Sequence, residues 1–185
     1  MPGDVLPVFL ACLETDTCLI LSGEIGAGKT SVASHLVAKL DEQEIAIGGV
    51  LSPRIIEAGA TIGYTVRDLM TDEERPFASL DPPGMPVGKF FIAEQGLAFA
   101  RCAIEQAIAS SQTVFVDEVG MLELAGNGLT PAVKALLQSQ VLPVLLVRSS
   151  FVEAVVHAFS ITRFREFNVG QQDVLSSREG RVRDG

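Results

Sequence analysis

A short apolar run that leads directly into a glycine-rich octet is the feature that most constrains this chain. The run occupies residues 18–21, and the octet, residues 23–30, has the pattern G-x4-G-K-T. Glycine can adopt left-handed backbone conformations and lets the main chain approach an anion without a side chain in the way. A phosphate-binding loop forms where such an octet follows a strand and precedes a helix. The pattern therefore predicts that the chain binds a nucleoside phosphate.

Each residue type in this loop has a physical role in binding phosphate. The main-chain N–H groups point inward, and the following helix directs its positive N-terminal end at the anion. Lys29 is predicted to act in catalysis by reaching the β- and γ-phosphates, and the Thr30 hydroxyl is predicted to bind Mg²⁺. The residues predicted to contact the nucleotide are Gly23, Glu24, Ile25, Gly26, Ala27, Gly28, Lys29, Thr30 and Ser31.

The rest of the chain alternates between strand-like and helix-like segments. Helical spacing of apolar residues predicts helices at 30–40, 92–110, 130–138 and 151–159. Short β-rich runs predict strands at 45–51, 87–92, 113–117, 141–147 and 165–169. Residues 54–57 and 61–66 are interpreted as the arms of a β-hairpin, and 68–76 as a charged turn. The type of the segment 5–13 stays open.

This order of elements predicts a fold class. We expect one α/β domain over residues 1–185, a three-layer sandwich with a mostly parallel central sheet and an inserted β-hairpin. The polar tail at 176–185 is expected to be flexible.

A second chemically informative stretch, TVFVDEVG, occupies residues 113–120. A buried strand that ends in two acids has the form of a Walker B strand, in which Asp117 would hold Mg²⁺ and Glu118 would orient and deprotonate a water molecule. Alone this pattern is weak, because strands often end in acids that cap the next helix. Together with the upstream phosphate loop, it predicts Asp117 and Thr30 as metal residues and Glu118 as a catalytic residue.

Composition limits the compartment and the partners. A length of 185 residues with 48% hydrophobic residues suits a single folded domain. No apolar run approaches the ~20 residues of a membrane-spanning helix, and Asp4 interrupts the apolar N-terminal segment, which lacks the basic start of a secretory signal. Cys12, Cys18 and Cys102 are odd in number and lack metal-binding spacing, so we expect buried thiols and a cytoplasmic location.

Charge excludes two further classes of partner. The chain has 14 basic and 23 acidic residues and a net charge of −9, which repels nucleic acid and anionic lipid. We therefore expect no nucleic-acid partner and no membrane partner. A nucleotide must be held by local backbone dipoles, by Lys29 and by a metal ion.

Over roughly residues 17–170, the chain resembles the nucleoside-triphosphatase family first known from thermophiles, a branch of the P-loop ATPases. Residues 48–50 (GGV) and 63–69 (GYTVRDL) are similar to the family's block GG … R-x-G-F-x-(hydrophobic)-x-D-L. Residues 87–90 (VGKF) resemble its V-G-K-Y signature, and 117–124 (DEVGMLEL) its D-E-I-G-K-M-E-L extension of the Walker B strand.

The resemblance implies a fold and an activity. The fold is a P-loop NTPase sandwich of the RecA/AAA-like type. The activity is Mg²⁺-dependent hydrolysis of ATP, GTP and other nucleoside triphosphates to the diphosphate, slowly and with little selectivity for the base.

The chain departs from the family pattern at three positions. Thr61 stands where the hairpin block usually has arginine, Met121 stands where lysine is usual, and Val169 follows Asn168 where arginine is usual. An arginine beside the nucleotide is thus missing from its expected place. Without one, low basal activity or activation by a partner protein is expected. The possible substitutes are Arg148, Arg163, Arg165 and Arg178.

Two other classes of function remain open. A nucleotide or small-molecule kinase would share the loop and the acids, although no arginine-rich lid is visible in the sequence. A non-catalytic nucleotide-binding adaptor of a cofactor-synthesis pathway would share the loop. A Ras-type GTPase is disfavoured, because the Asn-Lys-x-Asp sequence that reads guanine is absent.

Overall fold

The central sheet of the protein contains every strand of the computed structural model, which describes residues 4–170 and 178–181. The strands are β1 Cys18–Ser22, β2 Ile47–Leu51, β3 Arg54–Glu57, β4 Ala60–Asp68, β5 Glu74–Ser79, β6 Met85–Val87, β7 Phe90–Ile92, β8 Thr113–Asp117, β9 Leu142–Val147, β10 Arg163–Asn168 and β11 Arg178–Arg181. The helices are α1 Leu6–Thr15, α2 Lys29–Asp41, α3 Glu94–Ser110, α4 Met121–Leu124, α5 Thr130–Leu137 and α6 Val152–Ala158, which follows a 3₁₀ turn at Ser149–Phe151.

Five parallel strands form the centre of this sheet, in the order β10-β1-β9-β8-β2. Parallel strands place their carboxyl ends at one edge of a sheet, where open α/β folds bind their ligands. The loop after β1 and the acids that end β8 therefore lie at the same edge, separated by β9. The predicted mostly parallel sheet is confirmed.

Helices cover both faces of the parallel strands, which gives the predicted three layers. Side chains alternate along β1, so Ile20 packs with α3, α5 and α6, whereas Leu19 and Leu21 pack with α1 and α2. Because both faces are buried, the central strands are continuously apolar and not alternating. The undecided segment 5–13 lies within helix α1.

The antiparallel part of the sheet is larger than the sequence predicts. The predicted hairpin is present as β3 and β4, but β4 also pairs with β2 and β5, and β5 continues to β7 and β6. Strand β5 was missed inside and beyond the charged segment 68–76, because its mostly exposed residues have no apolar alternation. The single strand predicted at 87–92 is wrong: it is a tight hairpin turning at Gly88 and Lys89.

Two further expectations concern the cysteines and the C-terminal tail. Cys12 and Cys18 are buried as expected, but Cys102 is exposed on the solvent face of α3, so its predicted burial is wrong. In the tail, residues 178–181 pair with β10 as an edge strand, and the remaining tail residues lie outside the described part of the chain. No helix in the described ranges is both long enough and apolar enough to cross a bilayer.

The contact between β2 and β8 depends on a glycine. Gly49 has φ +92°, and a Cβ atom added there would lie 2.1 Å from the Phe115 carbonyl oxygen and 2.7 Å from the Phe115 nitrogen. Gly49 and Phe115 are register partners in the two strands. Only a residue without a side chain permits this approach, which brings β2 against the strand that carries the acids.

Gly49→Ala is expected to lower the free energy of unfolding by at least about 3 kcal/mol, because backbone strain adds to a main-chain clash. Gly59→Ala is the matched control, since Gly59 has φ +80° with no atom within 4 Å of an added Cβ. The control is expected to cost about 1–2 kcal/mol, the strain alone. Urea unfolding measures both, and equal losses would contradict the packing argument.

Candidate active site

The predicted phosphate loop lies between β1 and α2, as its sequence requires. Gly26 and Gly28 have φ +87° and +95°, which turns the chain back on itself before α2 begins at Lys29. The Val32 N–H donates to the Gly28 carbonyl at 2.9 Å, so the first turn of α2 follows the loop directly. The N–H groups at the start of this helix are therefore available to an anion in the loop.

Lys29 is held across the loop. Its side chain is only 7% exposed, and Nζ donates to the carbonyl oxygens of Gly23 at 2.9 Å and Glu24 at 3.3 Å. The same Nζ lies 3.6 Å from Oε2 of Glu118. The ammonium group thus sits between the loop and the second acid of the Walker B strand, where a terminal phosphate oxygen would compete for it.

Thr30 and Asp117 meet directly, although 87 residues separate them. The Thr30 hydroxyl donates to Oδ2 of Asp117 at 2.8 Å, and the Ser52 N–H donates to the same oxygen at 3.0 Å. The Ser52 hydroxyl donates in turn to the Asp117 carbonyl oxygen at 2.7 Å. One carboxylate therefore ties together the end of β8, the start of α2 and the residue after β2.

This pair of groups fits a small divalent cation. A hydroxyl oxygen and a carboxylate oxygen lie side by side, and Mg²⁺ prefers oxygen ligands, commonly one or two protein groups with water and phosphate. Burial raises the pKa of Asp117 to about 6, against the hydrogen bonds from Ser52 and Thr30. A cation at this position would favour the charged carboxylate.

Glu118 lies between two cations. Its Oε1 accepts a hydrogen bond from Nε of Arg148 at 2.7 Å, and its Oε2 faces Lys29. Arg148 directly follows β9, and Glu118 directly follows β8. Lys29 begins α2, after the loop that follows β1. Of the arginines that the sequence left open, Arg148 is therefore at the site. Arg163 begins β10 at the opposite edge of the sheet, and the side chain of Arg178 lies outside what the structure describes.

Glu123 is a buried residue that sequence reasoning missed. Its two carboxylate oxygens accept the N–H groups of Gly120 and Leu129, each at 2.9 Å, and its carbonyl accepts the Thr130 hydroxyl at 3.0 Å. Burial raises the pKa of this carboxyl group. The acid fixes the turn that follows Glu118. The available signal was a capping-box spacing, with glutamate three residues after Gly120.

Arg54 is the second missed residue. A Cβ atom added to Gly26 would lie 3.8 Å from Nη2 and 3.9 Å from Nη1 of Arg54, so the guanidinium group rests against the phosphate loop. The side chain is exposed on β3 and, within the described residues, has no ion pair or hydrogen bond to protein. A lone arginine in an exposed strand gives no spacing signal, so only the tertiary structure reveals it.

All these groups line one cavity of about 820 Å³. The phosphate loop, Asp117 and Glu118 line one end, and apolar side chains line the other. The exposed residues Ile25, Ile56 and Met121 also border it. The cavity is therefore amphipathic, charged beside the loop and apolar away from it.

The comparisons with known proteins agree with this geometry. A profile of the NTPase family matches residues 18–175. The chain belongs to this family. It is 30% identical to nucleoside-triphosphatase THEP1 of Methanopyrus kandleri over 165 residues, which cover 86% of the chain and 91% of the relative. It is 32% identical to nucleoside-triphosphatase THEP1 of Thermococcus kodakarensis over 163 residues, 85% of the chain and 84% of the relative.

A solved structure shares the fold of this NTPase. The solution structure of a human cancer-related nucleoside triphosphatase superposes with a TM-score of 0.63 at 20% identity, covering 82% of this chain and 88% of that one. The expected P-loop NTPase fold and the resemblance to the nucleoside-triphosphatase family are both confirmed.

Relative to the wild type, Asp117→Asn is expected to gain stability as pH rises, when metal is removed with EDTA. The folded-state pKa of about 6 lies above the ordinary value of 3.8, so the protonated acid favours folding. That stabilisation is complete below about pH 4 and is lost as pH rises through about 6, for a relative change of up to about 3 kcal/mol. Urea unfolding at about pH 4 and pH 8 measures it; a constant difference between the variants would contradict it.

Proposed function

We propose that the chain is a Mg²⁺-dependent nucleoside-triphosphate phosphohydrolase that converts a triphosphate and water to the diphosphate and phosphate. The observation that carries the proposal is the convergence of loop and acids: Thr30 lies 2.8 Å from Asp117, and Lys29 lies 3.6 Å from Glu118. A loop that only bound phosphate would not need the second acid. The names of the relatives, nucleoside-triphosphatase, support the same reaction.

The loop and Lys29 would bind the triphosphate tail. Main-chain N–H groups at residues 26–30 and the start of α2 would donate to the phosphate oxygens, and the Lys29 ammonium would reach the β- and γ-phosphates. Thr30 and Asp117 would hold Mg²⁺, which when bound neutralises phosphate charge. Because these contacts involve only the phosphates, we also propose that the enzyme discriminates little between bases.

Glu118 would orient the attacking water. The carboxylate is fixed by Arg148 at one oxygen and faces Lys29 with the other, so its position is set from two sides. As the water oxygen bonds to the γ-phosphorus, the bond to the β–γ bridging oxygen breaks, and Glu118 takes the water proton. Arg148 acts here as a positioning residue. Since it occupies one of the two oxygens, slow basal turnover is proposed as well.

Arg54 would supply an arginine beside the nucleotide, which this chain lacks at the places where the family pattern has one. Its guanidinium group lies against Gly26, at the centre of the loop. A planar cation there can pair with oxygens of the terminal phosphate as their charge increases during the reaction. The hairpin β3–β4 therefore contributes to the chemistry and not only to the sheet.

Lys29→Ala is expected to weaken Mg²⁺–ATP binding about 10- to 100-fold, since it removes charge-assisted contacts. Glu118→Gln is expected to lower kcat about 10²- to 10⁴-fold with little change in affinity. Calorimetry measures the affinity for Mg²⁺–ATP. Phosphate release with ATP, GTP, CTP and UTP, with and without Mg²⁺, measures kcat. Unchanged turnover in Glu118→Gln would contradict the mechanism, and almost no turnover in either the wild type or the variant would favour a non-catalytic adaptor.

Arg54→Ala is expected to lower kcat by about 10²-fold or more and to weaken a non-hydrolysable triphosphate more than the diphosphate. Arg54→Lys should recover only part of the loss, because lysine lacks the planar fork. Arg75→Ala is the control, because Arg75 lies on β5, pairs with Glu73 and does not line the cavity. Equal losses for the triphosphate and the diphosphate would show that Arg54 does not contact the γ-phosphate.

A further inference from the structure

The cavity of the active site continues well past the groups that the hydrolytic reaction uses. Its far end is lined by side chains from the antiparallel extension and the start of α3. The apolar members are Tyr64, Phe77, Val87, Phe90, Ile92 and Leu97. We refer to these six residues as the apolar chamber.

Sheet topology places the apolar chamber beyond the terminal phosphate. From the phosphate loop on β1, the strands run β9, β8, β2, β4, β5 and β7. The acids that would face the γ-phosphate end β8, and the chamber residues lie on β4 to β7, further in the same direction. The nucleoside half of a nucleotide held by the loop in this way would extend in the opposite direction, away from these acids. The chamber is thus on the side from which the γ-phosphorus is attacked.

Neither the attacking water nor the triphosphate tail requires such a chamber. One water molecule occupies about 30 Å³, and a polyanionic triphosphate gains nothing from apolar walls. The cavity of about 820 Å³ is large enough for a small organic molecule beside the triphosphate tail. Its apolar walls would favour a molecule with its own apolar surface.

The walls of the chamber indicate the class of that molecule. The rings of Tyr64 and Phe90 pack edge to face, with centroids 5.3 Å apart at 79°, which presents an aromatic surface. The hydroxyl groups of Thr61 and Tyr64 border the cavity, and among the described residues neither bonds to protein. Each acid that borders the cavity already accepts hydrogen bonds from the protein. Asp117 accepts from Thr30 and Ser52, and Glu118 accepts from Arg148. Glu123 accepts from two main-chain N–H groups. An aromatic molecule with hydrogen-bonding groups fits these walls, and Lys89, whose Nζ lies 5.0 Å from the centroid of the Phe90 ring, adds a cation at their border.

We propose that the apolar chamber binds a molecule with an aromatic ring and a free hydroxyl group, such as a nucleoside, as an acceptor of the γ-phosphoryl group. The proposal rests on the nucleotide-binding mode proposed above. The acceptor hydroxyl oxygen bonds to the γ-phosphorus, the bond to the β–γ bridging oxygen breaks, and Glu118 takes the hydroxyl proton. The products are a phosphate monoester and the nucleoside diphosphate, so the protein is a kinase when the chamber is filled and a hydrolase when water replaces the acceptor.

Substitutions that fill the apolar chamber and leave the phosphate loop unchanged test the proposal. Val87→Trp places a large ring at the end of β6, where Val87 is half-buried and lines the cavity. Ile55→Trp is the control, because Ile55 alternates with Arg54 and Ile56 along β3 and is absent from the cavity wall. Tyr64→Phe removes only a hydroxyl group and serves as a second variant that preserves packing.

The probes are adenosine, guanosine, cytidine, uridine and 4-hydroxybenzyl alcohol. Calorimetry measures their binding to protein loaded with Mg²⁺ and a non-hydrolysable ATP analogue, and ³¹P NMR detects a phosphate monoester in reactions with ATP. At least one probe is expected to bind the wild type and Ile55→Trp and to be phosphorylated. Binding of that probe is expected to fall at least about 10-fold in Val87→Trp and measurably in Tyr64→Phe, while hydrolysis of ATP without a probe stays within about 2-fold.

Three outcomes would overturn the proposal. In the first, no probe binds the loaded wild type although it hydrolyses ATP, which leaves the proposed hydrolase intact. In the second, a probe binds Val87→Trp as tightly as it binds the wild type. In the third, Val87→Trp weakens ATP but not inorganic tripolyphosphate, which would show that the chamber holds the base of the nucleotide. Failure of the wild type to bind or hydrolyse any triphosphate would instead overturn the proposed function itself.

Discussion

The hydrogen bond between the Thr30 hydroxyl and the Asp117 carboxylate joins the two halves of the site, and the remaining contacts depend on it. It fixes the start of α2 against the end of β8, although a strand lies between β1 and β8 in the sheet. Once these two elements are in place, Lys29 faces Glu118 and Glu118 reaches Arg148. Gly49 has the same effect from the other side, because its close approach to Phe115 brings Ser52 within reach of Asp117.

Charge is distributed in a way that net charge does not reveal. The chain carries a net charge of −9, yet four basic residues border the cavity: Lys29, Arg54, Lys89 and Arg148. The acids that border it are Asp117, Glu118 and Glu123, and burial makes the charged form of Asp117 and of Glu123 less favourable. The cavity is therefore suited to an anion even though the protein as a whole repels anions.

The parts of this protein that could be predicted from sequence are those whose signal is contiguous. The loop between β1 and α2, the strand β8 that ends in two acids and the mostly parallel sheet each follow from a local pattern of residues. Arg54 could not be found this way, because its role depends on a hairpin folding over a loop 28 residues earlier. Strand β5 was missed because its mostly exposed, charged residues show no apolar alternation, and Cys102 was misplaced because composition does not tell which face of a helix a residue occupies.

Little of the chain separates the hairpin β3–β4 from a residue that binds Asp117, which would hold Mg²⁺. Ser52, whose N–H and hydroxyl groups both bind Asp117, is separated from Arg54 by Pro53 alone. Proline fixes its own φ and so limits how far one neighbour can turn relative to the other. A shift of β3 that moves Arg54 away from the loop therefore also pulls on the carboxylate that would hold Mg²⁺. In the proposed function, entry of a nucleotide beneath the hairpin and retention of the ion would be mechanically linked through a single residue, Pro53.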